Sequence, residues 1–217
     1  MKGIERMIKK IAILLWVMFV PFMTFAADYS EGKHYTKVNE QATAKKEIRE
    51  YFSFYCQHCL KFEPFMATVK KKKSADVNFE RNHVDFLRAA PAETQQLLSK
   101  AVVIAQQLNV EEKIVAAIFN YIQVQRATFS SINDVRNLFV LHDVDGDKFD
   151  KLAKSFSVNS QAKKMKKNQD DLTSKRALNA VPTLIINGKY RINTQELSRD
   201  NFMEDYQNLI NYLLTLS

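Results

Sequence analysis

The stretch Glu47–Cys59, EIREYFSFYCQHC, decides the fold of this chain. Its first part, Glu47–Tyr55, is dense in aromatic residues and leads directly into a cysteine, which predicts a buried strand. Beyond the second cysteine, apolar residues recur at helical spacing and predict a helix: Leu60, Phe62, Phe65, Met66 and Val69. The sequence therefore places Cys56-Gln57-His58-Cys59 in a turn between a strand and a helix.

The cysteine pair in this turn suits redox chemistry better than a structural role. The chain has two cysteines, three positions apart, and so short a loop would constrain the unfolded chain by only roughly 2 kcal/mol. At the start of a helix, free N–H groups and the helix dipole stabilise a thiolate at Cys56. His58 favours that thiolate further, and Cys59, one turn later, is expected to be the buried resolving thiol. We therefore predict thiol–disulfide exchange with Cys56, Cys59 and His58 as catalytic residues and Cys56–Cys59 as a redox-active disulfide.

Two alternatives for the cysteine pair are a zinc half-site and an inert packed pair. Zinc needs three or four protein ligands, whereas the chain offers two cysteines and four histidines, one of them inside the motif. An aromatic strand that enters an exposed turn is a poor place for an inert pair. We therefore expect no bound metal.

The N-terminal residues 1–26 have the pattern of a secretory signal peptide. A basic start is followed by an uncharged run from Ile11 to Ala27, and small residues at Thr24 and Ala26 suit cleavage after about Ala26. A retained membrane anchor is the alternative, although the run is at the lower limit for a span and contains Pro21. Export would place the cysteines in a compartment that permits disulfides.

The net charge of +8 includes two lysine-rich runs, Lys70–Lys73 and Lys163–Lys167. Such runs are typical of solvated helix faces, and no nucleic-acid-binding motif surrounds them. We therefore expect no nucleic acid among the partners.

The rest of the chain predicts an α/β fold with a thioredoxin-like core and an inserted helical subdomain. A second strand is expected over Val77–Phe86, and four or five short helices over residues 89–163. A strand over Val181–Ile186, a two-residue turn at Asn187-Gly188 and a return strand to Ile192 follow, and the chain ends in an amphipathic helix, Arg199–Leu216. The predicted division is signal peptide 1–26, first core part 27–88, helical insertion 89–163 and second core part 164–217.

The chain resembles the DsbA family over essentially all of its length after the predicted signal peptide. The resemblance is carried by the segments Tyr29–Tyr35, Glu50–Cys56, Phe62-Glu63, His83–Phe86, Val181-Pro182 and Asn187–Tyr190. It implies a periplasmic thiol:disulfide oxidoreductase that introduces disulfide bonds into exported proteins. A monomer is expected, since nothing in the sequence suggests an obligate interface. The implied partners are unfolded or folding exported proteins with free cysteines, and a DsbB-type membrane quinone reductase that re-oxidises the thiol pair.

The resemblance also assigns residues around the cysteines. It places the cis-proline loop of the family at Val181 and Pro182, where the backbone before the proline can pair with an extended substrate. From the sequence alone, an ordinary trans bond at a strand start is the alternative. Glu50 and Glu63 match acidic positions that can tune the thiol pKa, with simple surface charge as the alternative. Gln57 stands where well-studied members have proline, and this dipeptide influences the redox potential, so the strength of oxidation is left open.

Two other functions are compatible with the same residues. The chain could be a periplasmic disulfide reductase or isomerase, or a peptide-binding chaperone with a modest redox role that uses the groove beside Pro182. Loss of all function on Cys56→Ser would exclude the chaperone.

Overall fold

The structure is a computed structural model that describes residues 29–216. The predicted signal peptide, residues 1–26, lies outside the described residues. Within residues 29–216, no helix is both long and apolar enough to cross a membrane.

A five-stranded mixed sheet lies at the centre of the fold, in the strand order β1-β5-β4-β2-β3. Its strands are β1 Tyr35–Lys37, β2 Glu47–Phe52, β3 Asn78–His83, β4 Thr183–Ile186 and β5 Tyr190–Ile192. Only β2 and β3 pair in parallel, with Glu47 opposite Asn78 and Phe52 opposite His83. Strand β2 lies between two neighbours and is buried along almost its whole length, so its end is a fixed point from which the cysteine turn starts.

Helices cover the sheet and form the insertion. They are α1 Gln57–Lys72, α2 Ala92–Gln107, α3 Glu111–Phe119, α4 Ile132–Leu141, α5 Gly146–Lys154, α6 Phe156–Ser174 and α7 Phe202–Leu213, with a π-helical segment at Asn120–Val124 and a 3₁₀ turn at Thr194–Glu196. Helices α2 to α6 come between β3 and β4 along the chain, as an insertion in the core. Ser131 begins α4 with a capping box, in which its hydroxyl accepts from the N–H of Asp134 and the Asp134 carboxylate accepts from the N–H of Ser131.

Strand β2 and helix α1 contribute to two main apolar clusters. One joins Phe54 and Cys59 to residues of the insertion such as Leu98 and Phe119. The other fills the space between the sheet, α1 and α7: Tyr29, Tyr35, Ile48, Phe62, Phe65, Met66, Val69, Val77, Leu184, Ile186, Tyr190, Ile192, Leu197, Tyr206, Leu209, Ile210 and Leu213. The cysteine turn therefore follows strand β2 along the chain but packs against the insertion.

Three local features differ from the sequence analysis. Strand β2 ends at Phe52 instead of Tyr55, because the chain turns at Ser53, whose carbonyl accepts from Cys56 N–H at 3.0 Å. The predicted Asn187-Gly188 turn forms, with positive φ at both residues and a hydrogen bond of 3.0 Å from the Lys189 N–H to the Ile186 carbonyl. Ladder pairing resumes only at Tyr190, opposite Ile186, so Lys189 is an extra residue on the return side. The Lys189 carbonyl accepts from Val38 N–H at 2.8 Å, beside β1.

The third difference is strand β1, which the sequence analysis did not anticipate. Helix α6 also continues unbroken across positions 163 and 164, where the chain was divided between the insertion and the second core part. The division itself stays a prediction.

Candidate active site

A tight turn after β2 places Cys56 at the start of α1. The Tyr55 N–H donates to the Ser53 hydroxyl at 3.2 Å, and the Cys56 N–H donates to the Ser53 carbonyl. Cys56 is then the N-cap residue of α1, with extended backbone angles of φ −97° and ψ 112°. Its Sγ accepts from the Cys59 N–H at 3.1 Å, so the sulfur occupies the position that a capping oxygen takes in other helices.

The two thiols, both free in this structure, lie in different environments. The hydrogen bond from the Cys59 thiol, helped by the N–H groups of Cys59 and His58, lowers the pKa of Cys56 from 9.0 to about 7 against the opposing effect of burial. Cys59 is fully buried, and burial followed by its hydrogen bond to Cys56 raises the pKa of its thiol. Near neutral pH, the negative charge therefore resides on Cys56.

The residues between the cysteines project into solvent. Gln57 and His58 are both exposed on the first turn of α1. What His58 contributes to the Cys56 sulfur in this structure is its backbone N–H. A contribution from its imidazole, as expected from the sequence, stays a prediction.

The Val181–Pro182 segment lies beside the thiol, although it follows 125 residues later. The peptide bond between Val181 and Pro182 is cis, as the resemblance implies. The Cys56 thiol donates to the Val181 carbonyl at 3.3 Å. The fold therefore brings together the two segments in which the sequence placed the chemistry and the substrate contact.

Glu50 and Glu63 both contact the side chain of Arg81. The Arg81 Nε lies 3.0 Å from Glu50 Oε2, and its Nη2 donates to Glu63 Oε1 at 2.6 Å, while its guanidinium lies 5.0 Å from the ring centroid of Phe52. Complete burial raises the pKa of Glu50 to about 7, although Arg81 opposes that shift. Burial also raises the pKa of Glu63, and the charge of Glu50 adds to the raised pKa of Cys59.

The sequence analysis missed Arg81. It lies directly opposite Glu50 in the parallel pair of β2 and β3. The sequence contains both residues, but only the register of β2 against β3 reveals that Arg81 pairs with Glu50.

The comparisons with known proteins agree with this geometry. A family model described as thioredoxin matches residues 38–210. The thiol:disulfide interchange protein DsbA of Haemophilus influenzae is 34% identical over 194 residues, which span 88% of this chain and 90% of the relative. The DsbA of Salmonella typhimurium is 34% identical over 212 residues, 95% of this chain and 98% of the relative. The chain belongs to the DsbA family.

A solved DsbA structure shares the fold. The DsbA of Proteus mirabilis, in complex with a non-covalently bound peptide PWATCDS, superposes with a TM-score of 0.76 at 30% identity, over 87% of this chain and 99% of that one. Membership of the DsbA family confirms the predicted thioredoxin-like fold with its helical insertion, and the enzyme class of thiol:disulfide oxidoreductase.

A buried histidine connects the DsbA-type turn to the insertion, and the sequence analysis gave it no role. His83 Nε2 accepts from the Phe54 N–H at 3.3 Å, and its Nδ1 lies 3.0 Å from the Ser99 hydroxyl. Because Nε2 accepts, the ring proton sits on Nδ1 and is donated to Ser99. Burial lowers the pKa of His83 to about 3, so the ring stays neutral and holds the turn in place.

Proposed function

We propose that this protein oxidises pairs of thiols in exported polypeptides to disulfides, in the periplasm. The observation that carries the proposal is the asymmetry of the thiol pair. The Cys56 sulfur accepts a backbone hydrogen bond at a helix start and has a pKa of about 7, while the Cys59 thiol beside it is fully buried with a raised pKa. Stabilising the reduced, thiolate form makes the disulfide form a stronger oxidant.

The reaction runs as two exchanges. A substrate thiolate attacks Cys56 Sγ of the oxidised enzyme, the bond between Cys56 and Cys59 breaks, and Cys59 leaves as a thiolate that takes up a proton. A second substrate thiolate then attacks the substrate sulfur of the mixed disulfide. The substrate disulfide forms, Cys56 leaves as its stabilised thiolate, and two electrons have passed from the substrate to the enzyme.

The backbone of Val181 supports a role in substrate contact. Its carbonyl lies within hydrogen-bonding distance of Cys56 Sγ, so an extended peptide that pairs with the backbone before Pro182 would bring its own cysteine to the Cys56 sulfur. The related Proteus mirabilis protein binds a peptide that contains a cysteine. We assign Val181 and Pro182 to the substrate site by this geometry and this likeness.

We assign to Glu50 the role of exchanging a proton with Cys59. A fully buried carboxyl with a pKa of about 7 can hold or release a proton near neutral pH, when the Cys59 thiolate appears and disappears. Glu63 shares the Arg81 side chain with Glu50 and is less deeply buried than Glu50, so it tunes the same charge cluster from the solvent side.

Turnover then needs a source of oxidising equivalents. We propose re-oxidation by a DsbB-type membrane quinone reductase, with no cofactor bound to the chain itself, and a monomeric enzyme.

We also propose that the signal peptide is removed after about Ala26. N-terminal sequencing of protein recovered from the periplasm tests that cleavage, and a retained Met1 start would contradict it.

The reduction potential of the Cys56–Cys59 pair, measured against glutathione buffers, tests the function. A value well above about −200 mV supports the oxidase. A value near about −270 mV, the range of a thioredoxin, would refute the oxidase and favour the reductase. The Cys56→Ser variant tests the remaining alternative, because retained client binding without disulfide formation would favour a chaperone.

A further inference from the structure

One side chain of the insertion reaches into the cysteine turn. Gln123 Nε2 donates to the Phe54 carbonyl at 2.7 Å and to the Cys56 carbonyl at 3.0 Å. Gln123 follows Phe54 by 69 residues and Cys56 by 67, and it belongs to the insertion instead of the core. A single amide therefore joins the backbone on both sides of Tyr55.

The Phe54 backbone is held from two directions. Its N–H donates to His83 Nε2, and its carbonyl accepts from Gln123. The insertion takes part in both contacts, because Ser99 of α2 is the partner of His83 Nδ1. The residues just before Cys56 thus have their backbone direction set by side chains distant in sequence.

The segment that carries Gln123 is itself unusual. Asn120–Val124 is π-helical and directly follows α3, and short π-helical segments inside helices are often found at functional sites. Gln123 Oε1 is buried without a hydrogen-bond partner among residues 29–216. A buried acceptor without a partner costs stability, so the placement of this amide is not explained by stability alone.

We propose that Gln123 is a positioning residue of the redox site, whose amide holds the Phe54 and Cys56 carbonyls so that the Cys56 sulfur stays directed at the Cys59 N–H. The inference rests on the proposed function, because it assigns Gln123 to the same thiol pair. Without the amide, the Phe54 and Cys56 carbonyls lose this donor, and the turn keeps only its contacts to His83 and Ser53. The sulfur then loses part of the alignment that stabilises its thiolate.

Two variants test the role of Gln123. Gln123→Met keeps the length of the side chain and removes both donors, and Gln123→Glu replaces them with a group that donates only when protonated. We expect the pKa of Cys56, followed by thiolate absorbance, to rise by about one unit in Gln123→Met. The equilibrium constant for oxidation of glutathione should fall about tenfold, since one pKa unit corresponds to that factor.

Gln125→Glu is the matched control. Gln125 is exposed and donates to Asn120 Oδ1, so this variant adds the same charge two positions away without touching the turn. It should keep the pKa of Cys56 and the glutathione constant within about twofold of the wild type. In Gln123→Glu, the glutathione constant should approach that of the wild type as the pH falls, because the protonated carboxyl becomes a donor. Gln123→Glu replaces Gln123→Met as the test if the methionine variant does not fold.

The proposal is overturned if Gln123→Met or Gln123→Glu lowers the melting temperature but leaves the thiol titration and the glutathione constant unchanged. That result would give Gln123 a purely structural role. Failure of the proposed function shows in a different measurement, because the wild type itself would then have a potential near that of a thioredoxin.

Discussion

The lowered pKa of Cys56 predicts a pH-dependent stability of the reduced protein. In the folded chain the pKa is about 7 instead of 9.0, so the folded state binds fewer protons than the unfolded state between these values. The thiolate therefore stabilises the fold above about pH 9 and loses this contribution as the pH falls through 7. The Cys56→Ser variant removes the titrating group and keeps Cys59.

The magnitude follows from the size of the shift. Two pKa units correspond to about 2.7 kcal/mol in full, of which about 1.3 kcal/mol should develop between about pH 6 and pH 8. Cys56 keeps 7% of its surface exposed, and the remaining solvent screening reduces that value to about 0.7 kcal/mol. The raised pKa of Cys59 keeps that thiol protonated over this range, so it adds nothing of opposite sign.

Urea unfolding of the reduced proteins measures the effect. The free energy of unfolding of the wild type, relative to Cys56→Ser, should rise by about 0.7 to 1.3 kcal/mol from about pH 6 to pH 8. A difference between the two proteins that stays constant over this range would show that the folded state does not stabilise the thiolate. The argument for an oxidising disulfide would then lose its basis.

Two further substitutions test the surroundings of the thiols. In the oxidised protein, the pKa of Glu50 is raised from 4.5 to about 7, so its ionisation opposes folding as the pH rises through that window. Glu50→Gln should therefore remove a decline in the free energy of unfolding with rising pH. If urea unfolding gives both proteins the same change in that free energy between about pH 5 and pH 8, the burial argument is contradicted. Gln57→Pro should fold with a free energy of unfolding within about 1 kcal/mol of the wild type, because Gln57 is the exposed first residue of α1 and the Cys56 angles are extended. Its Cys56 pKa should also stay unchanged, since the N–H groups of His58 and Cys59 that serve the sulfur remain; a shifted thiol titration would show that the side chain at position 57 acts on the thiolate in another way.

The sequence predicts the parts of this fold whose signal is local. The aromatic run of β2, the helical spacing after Cys59 and the Asn187-Gly188 turn each occupy a few consecutive residues, and the structure has a strand, a helix and a hairpin there. Strand β1 has only three residues, too few for a period of two to be visible. Lys189 is an extra residue on the return side of that turn, and its carbonyl accepts from the Val38 N–H, a contact that no local pattern contains.

The residues that the sequence did not reveal act over long distances. Arg81 becomes meaningful only once the register of β2 and β3 places it opposite Glu50. Gln123 depends on a π-helical segment, and an extra residue in a helix has no periodic signature. The cysteine motif identifies the chemistry, whereas the side chains that hold the motif in place are set by tertiary packing.

The long separation between the cysteine turn and its supports matters during synthesis. In the proposed export, N-terminus first, Cys56 and Cys59 emerge well before Gln123 and Val181, which contact the turn across 69 and 125 residues. Until those residues emerge, the two cysteines belong to an incomplete chain, because contacts so distant in sequence close late. The contacts that hold the reactive thiol in place therefore form only once the whole domain has emerged.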